Sequence, residues 1–173
     1  MGVIVPHVDT AEEAKQIVAA CLFRPLGERG VSGAAPQLGF KTIPFAEMRR
    51  QLNEETLVVV QIESPEAVEN ADAIAAVPGV DVLLVGTNDL SAAMGIDGQA
   101  DHPQIEAAYR KVVAAAKRHG KQVGTAGARN QAVVRHLLEM GVRFVGCGSD
   151  LSMIIKGATQ VVSSMREIEL QGS

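Results

Sequence analysis

Five short apolar runs, each rich in aliphatic residues and each followed by a helix-like stretch, set the limits on what this chain can become. They are VIVPHV (3–8), LVVVQI (57–62), VDVLLVG (80–86), KQVGTA (121–126) and VRFVGCG (142–148). Unbroken apolar runs of this length suit strands buried on both faces, the habit of parallel sheets. The stretches between them carry helix signals. DTAEEAKQIVAAC (9–21) offers Thr10 as N-cap with Glu13 three residues on, a capping box. SPEAVENADAIAAV (64–77) has Ser64 as cap and Pro65 at the first helical position. HPQIEAAYRKVVAAAKRHG (102–120) is amphipathic and ends on basic residues and a glycine, and 129–141 and 150–170 follow the same rules. PGVDVLLVG and MGVRFVGCG each place a glycine on both sides of the strand. The chain therefore reads as a βα unit repeated five times in a single domain, 1–173. Right-handed crossovers make its sheet parallel.

Five such units fit either an open doubly wound sheet or part of a closed barrel, and periodicity does not choose between them. The Gly- and Pro-rich segment 22–45 breaks the rhythm before a short helix near FAEMRRQLN. A loop of that size is a functional or interface element in most domains. Because it follows a helix, it is expected on the face away from the strand C-termini.

Composition excludes several classes of function. With 47% hydrophobic and 21% charged residues, 173 residues can bury a sizeable core. The net charge is only −4 and the basic residues are scattered, so neither nucleic acid nor an anionic membrane is an expected partner. No apolar run approaches the roughly 18–20 residues that span a bilayer. The N-terminus lacks the basic region of a signal peptide. Cys21 and Cys147 stand alone in apolar settings, which predicts reduced, buried thiols and a cytoplasmic location. There is no GxGxxG after a strand and no GxxxxGK[ST], so nothing marks a nucleotide site. GCGSD (146–150) could cradle an anion at a helix start, though Asp150 reads better as the N-cap of that helix.

Parallel α/β folds bind ligands beyond the C-terminal ends of their strands. Glu63 follows LVVVQI, with Gln61 two residues earlier on the same side of the strand. Asp89 follows VLLVG about one repeat later, so neighbouring strands would present the two carboxylates side by side. Such a pair repels unless a proton or a cation joins it. A divalent cation would fit, with water and substrate completing its shell in the manner of Mg²⁺ or Mn²⁺. Asp89 could equally cap a short helix at LSAAMG. The four histidines show no ligand spacing; His7 lies near enough to the first strand's end to reach the same face. Arg29 could pair with an anion or make a structural loop bridge.

The pieces QIES, PGVD and GTNDLS occur in that order within VVVQIESPEAVENADAIAAVPGVDVLLVGTNDLSAAMG, after VIVPHVDTAEEAKQIVAACLFRPLGERGVSG. In this the chain resembles the metal-dependent (class II) pyruvate aldolases of the HpcH/HpaI family, the 4-hydroxy-2-oxoheptanedioate and 2-dehydro-3-deoxyglucarate aldolase group. The resemblance implies a TIM-type (βα)₈ barrel of the phosphoenolpyruvate/pyruvate superfamily, of which this chain carries about five units, the C-terminal part. It implies a divalent ion (Mg²⁺ or Mn²⁺, with Co²⁺ a further option) on Glu63 and Asp89. It implies that Gln61 contacts the pyruvyl oxygen and that the N–H groups of Asn88 and Asp89 hold its carboxylate. The expected activity is a carbon–carbon lyase acting through a pyruvate enolate, with a 2-oxo acid and an aldehyde as small-molecule partners. A citramalyl- or malyl-CoA type lyase, or a barrel that binds metal and oxo acid without catalysis, are the alternatives.

Thr87 stands where many relatives carry proline. The relatives' catalytic His–Asp pair and substrate-binding Arg lie in three upstream units with no counterpart here, so no catalytic residue is assigned. Five strands leave two edges, at VIVPHV and VRFVGCG, so the chain is expected to pair with another copy, exchange segments, or form part of a longer product. Relatives assemble as hexamers and often exchange the last helix; 150–170 has the apolar stripe for that, but a core helix would look the same.

Overall fold

The structure, a computed structural model, describes residues 1–32, 36–128 and 130–171. Five parallel strands run β1 (Gly2–Val5), β2 (Leu57–Ile62), β3 (Val82–Gly86), β4 (Gln122–Ala126) and β5 (Phe144–Val145). They lie side by side in chain order, each hydrogen-bonded to the next. The helices are α1 (Ala11–Cys21), α2 (Phe45–Glu55), α3 (Pro65–Glu69), α4 (Ala71–Ala75), α5 (Thr87–Ala93), α6 (Pro103–Arg118), α7 (Gln131–Met140) and α8 (Asp150–Gln171).

Strand order settles what periodicity left open. A doubly wound sheet reverses its order at a switch point. Sequential order with crossovers of one hand puts every covering helix on the same side, as in a barrel wall. The core agrees: Val18 of α1, Ile74 of α4, Tyr109 of α6 and Leu137 of α7 pack on Val58, Val60, Ile62, Leu83, Val85 and Val123. Each fully buried Val, Leu or Ile there contributes about 1.5–3 kcal/mol. The opposite sheet face carries a smaller cluster of Val59, Val82 and Leu84, with Leu57, Ala126 and Phe144 against it. Gln61 and Glu63 share that second face with Val59, because side chains alternate along a strand.

The predicted capping signals are present. Thr10 accepts from the Glu13 amide while the Glu13 carboxylate accepts from the Thr10 amide. Ser64 accepts from the Ala67 amide at the start of α3.

Other expectations need correction. The helix expected over 64–77 breaks at Asn70, whose backbone leaves helical geometry (φ −86°, ψ 3°) while its side-chain amide donates to the Asp9 carbonyl at 2.8 Å. β1 stops at Val5 rather than reaching Val8, since Pro6 has no N–H to give and His7 turns to a φ of +55°. β5 has two residues where 142–148 was expected. β2 and β3 are buried on both faces as predicted, but edge strand β1 is largely exposed. Cys147 is exposed rather than buried, and Cys21 is half-buried; both are free thiols. Burial pushes the Cys21 thiol up, with Arg29 pulling the other way.

The described part of segment 22–45 lies where expected. Gln37, in its one-turn 3₁₀ helix, lines a cavity with Met1, Gly2 and Thr56 at the N-terminal ends of β1 and β2. Arg29 stacks on the Phe23 ring at 4.6 Å, a cation–π contact in place of the loop salt bridge that the sequence offered as its structural role. Asp150 is the first residue of α8 rather than its cap: the Ser149 hydroxyl accepts from the Ser152 amide at 3.2 Å, which engages the donor an anion would need. The apolar side chains of α8, from Leu151 to Ile168, are exposed, so it is not a core helix of this chain. Among the described residues no helix is long and apolar enough to cross a membrane.

Candidate active site

Glu63 is the first residue beyond β2, and its side chain is almost fully buried, 5% exposed. Register aligns Ile62 with Val85, which sets Glu63 level with Gly86 at the end of β3. Contact is close: a Cβ built on Gly86 would lie 2.5 Å from Glu63 Oε1 and 2.7 Å from its Cγ. Glycine is therefore required at 86 for space, not for conformation, since its φ of −83° suits any residue.

Two neutral donors hold the carboxylate. Gln61 Nε2 donates to Oε1 at 2.6 Å, and the His7 backbone N–H donates to Oε2 at 3.0 Å. The left-handed backbone of His7 also brings its exposed imidazole Nδ1 to 3.2 Å from Oε2. Non-glycine residues adopt that conformation seldom, and local constraints explain it here. Asp9, two residues on, accepts from the Ser64 hydroxyl, and Asn70 holds the Asp9 carbonyl, so the β1–α1 loop is tied to α3 beside Glu63.

The second half of the site follows β3. α5 begins at Thr87, with Gly86 as its cap residue and no side-chain cap bond. Asp89 is thus the third residue of α5, which removes the alternative of Asp89 as an N-cap. Asn88 and Asp89 are both exposed, and Asn88 lies against Gly127 just past β4, where a Cβ would come within 3.0 Å of its amide. Beneath this turn the Tyr109 hydroxyl stands between Thr87 Oγ1 at 2.7 Å and Thr125 Oγ1 at 2.6 Å, all three residues buried. Burial pushes the Tyr109 phenol up, the two threonines opposing it.

The structure thus brings Gln61, Glu63, Asn88 and Asp89 to the C-terminal ends of two adjacent strands. The donor set suits a hard divalent cation. An ionised carboxylate can accept about four hydrogen bonds. Glu63 accepts from Gln61 and His7 and has no Lys or Arg partner among the described residues, which leaves capacity for a cation. Among those residues no cluster of three or more His, Cys, Asp or Glu could form a closed metal site, so a cation here would rely on water and substrate for the rest of its shell.

Comparison with known proteins fits this geometry. The family described as HpcH/HpaI aldolase/citrate lyase matches residues 1–157. The chain belongs to that family. It is 42% identical over 176 residues to a 4-hydroxy-4-methyl-2-oxoglutarate aldolase of Hapsidospora irregularis, covering 98% of this chain and 64% of the relative. It is 44% identical over 159 residues to a 5-keto-4-deoxy-D-glucarate aldolase of Klebsiella pneumoniae, covering 91% and 60%. The crystal structure of an HpcH/HpaI aldolase from Desulfitobacterium hafniense superposes with a TM-score of 0.85 at 35% identity, covering 96% of this chain and 64% of that one. The chain therefore spans less than two thirds of the length of these family members.

Sequence reasoning did not find the His7 backbone donor, the Asp9–Ser64 tie or the Tyr109 hydroxyl row. A signal existed for the last: Tyr109 is the chain's one tyrosine, set on the apolar stripe of an amphipathic helix, where a phenol needs a partner.

Proposed function

We propose that this chain provides the metal- and oxo-acid-binding half of a class II aldolase, a carbon–carbon lyase acting on 4-hydroxy-2-oxo acids such as 4-hydroxy-2-oxoheptanedioate or 2-dehydro-3-deoxyglucarate. In the cleavage direction the C4 hydroxyl gives its proton to a base, the C3–C4 bond breaks, and its electron pair passes to C3 as the pyruvate enolate, which then takes up a proton. C4 leaves as an aldehyde, or as a ketone where C4 also carries a methyl group. The names of the two relatives above support this substrate class. The observation that carries the reading is the Glu63 carboxylate, nearly buried with no Lys or Arg partner among the described residues and aligned beside the Gly86–Asp89 turn.

Glu63 and Asp89 would hold the divalent ion, Mg²⁺ or Mn²⁺. When bound, that ion supplies Lewis-acid stabilisation of the charge developing on the keto oxygen, worth several kcal/mol. Gln61 fixes the orientation of the Glu63 carboxylate through its 2.6 Å bond and would offer its remaining amide N–H to the keto oxygen. The backbone N–H groups of Asn88 and Asp89, in the first turn of α5, lack intrahelical partners and would take the substrate carboxylate. The acid–base step is assigned to no residue of this chain.

Residues 1–173 form one unit in this reading, the C-terminal part of a (βα)₈ barrel, and it works in a homo-oligomer. Exposed apolar residues along α8 and on edge strand β1 support the association. The free thiols of Cys21 and Cys147 support a cytoplasmic setting.

The test is metal-dependent exchange of pyruvate methyl protons in D₂O, followed by NMR. Exchange is expected with Mn²⁺ or Mg²⁺ and is expected to fall at least about a hundredfold in Glu63→Gln and in Asp89→Asn. Pyruvate or oxalate binding without exchange would replace the aldolase with a non-catalytic barrel, and equal exchange in the two variants would remove the assigned ligands.

A further inference from the structure

Asp89 belongs to a turn with no side-chain cap at its start. Three surfaces confine that turn instead. Gly86 lies against Glu63, Asn88 lies against Gly127, and the Thr87 hydroxyl points inward to Tyr109 rather than capping α5. The Tyr109 hydroxyl spans the gap from Thr87 at the head of α5 to Thr125 on β4, which is in register with Val85 of β3. Three buried hydroxyls from three elements thus meet in a layer otherwise made of Val, Leu, Ile and Ala. A hydroxyl left unpartnered in such a layer is costly, and among the described residues no buried side-chain polar atom lacks a partner. A phenylalanine would fill the same space without that requirement. The row therefore does something that apolar packing does not: it ties Thr87 through Tyr109 to Thr125 on β4, and Asp89 follows two residues later in the same helical turn.

We propose that the Thr87–Tyr109–Thr125 hydroxyl row is a positioning device that holds the Asp89 turn in place relative to Glu63, so that the two carboxylates converge on one cation. This rests on the reading of Glu63 and Asp89 as metal ligands. Tyr109 touches no substrate in this scheme and acts through Thr87. Burial keeps its phenol protonated at neutral pH, so it remains a donor.

The test uses the whole chain with Tyr109→Phe and Thr87→Val, each close in shape to the native residue, and two readouts. Amide hydrogen exchange at Leu90 and Ser91, the first amides of α5 with intrahelical acceptors, is expected to rise about tenfold, the scale of one lost hydrogen bond, while Val58–Ile62 stay protected. Mn²⁺ affinity by electron paramagnetic resonance titration is expected to weaken at least about tenfold. Adding Thr87→Pro to Tyr109→Phe is expected to recover most of that affinity, because proline at a first helical position fixes φ without a hydroxyl. Unchanged exchange at Leu90 and Ser91, or an even rise across the sheet, would overturn the proposal. So would Mn²⁺ affinity equal to wild type in both single variants. If the wild-type chain binds no Mn²⁺, the metal reading fails, and the amide exchange alone still decides whether the row orders the turn.

Discussion

Gly86→Ala separates the geometry of the site from the stability of the fold. The backbone at 86, with φ −83° and ψ 86°, accepts an L-residue, so strain there is not the issue. The added Cβ would lie 2.5 Å from Glu63 Oε1, 2.7 Å from Cγ and 3.1 Å from Cδ. To regain ordinary contact at 3.4 Å, the Oε1 atom must retreat by roughly 0.9 Å. The Gln61 bond, now 2.6 Å, and the His7 bond, now 3.0 Å, would stretch or break with it. Each is a hydrogen bond to a charged acceptor, of order 1.5–3 kcal/mol at most. The clashing atoms are the end of a side chain that can swing, so the net loss of stability should be smaller, about 1 kcal/mol. Metal ligands tolerate displacements of only about 0.2 Å. Mn²⁺ affinity should therefore drop about tenfold to a hundredfold, as when the partners of a metal ligand are disturbed. A Mn²⁺ titration beside a thermal melt reads both quantities. Native affinity in a folded Gly86→Ala chain would refute the claim that the Glu63 carboxylate, held in this position, is a ligand.

Three further outcomes follow from individual contacts. The Glu13 carboxylate is held below its ordinary 4.5 by the Asp9 and Thr10 amides and the Thr10 hydroxyl. Its contribution is present above that pH and lost as pH falls through the lowered value, so Glu13→Gln should be less stable at neutral pH and show a shallower acid limb in thermal melts. Burial raises the Tyr109 phenol above its ordinary 10.0; with one tyrosine and no tryptophan in the chain, ultraviolet difference titration should show no phenolate until pH exceeds that value. The unfolded chain ionises first, so the stability it lends is intact below pH 10.0 and is lost as pH rises toward the folded value. On α8, Ile155→Lys with Val162→Lys should lower the sedimenting mass without changing the melt of the sheet, and a wild-type chain that is already monomeric at micromolar concentration would contradict the proposed association.

Much of the scaffold was legible because its signals are local. Apolar runs gave β2 and β3, and the hydroxyl and carboxylate spacing at Thr10, Glu13 and Ser64 gave the helix starts. What failed were features that depend on a neighbour distant in sequence. β1 looks like a buried strand by composition, yet as an edge strand it is exposed. The helix break at Asn70 depends on Asp9, sixty-one residues earlier. Cys147 lies in an apolar run, but beyond a two-residue strand that leaves it exposed.

The candidate site divides the same way. Sequence alone determined which residues stand at strand ends, because alternation along β2 and the turn after β3 are short-range consequences of backbone geometry, and so Gln61, Glu63 and Asp89 could be named, while the family resemblance added Asn88. Only the tertiary structure decided what holds them. The register that sets Glu63 against Gly86, the left-handed His7 that donates to it, and the hydroxyl row under Thr87 all join segments separated by long stretches of chain. The sequential order of the strands was decided there too, because pairing between parallel strands comes from packing across crossovers and leaves no mark on either strand alone.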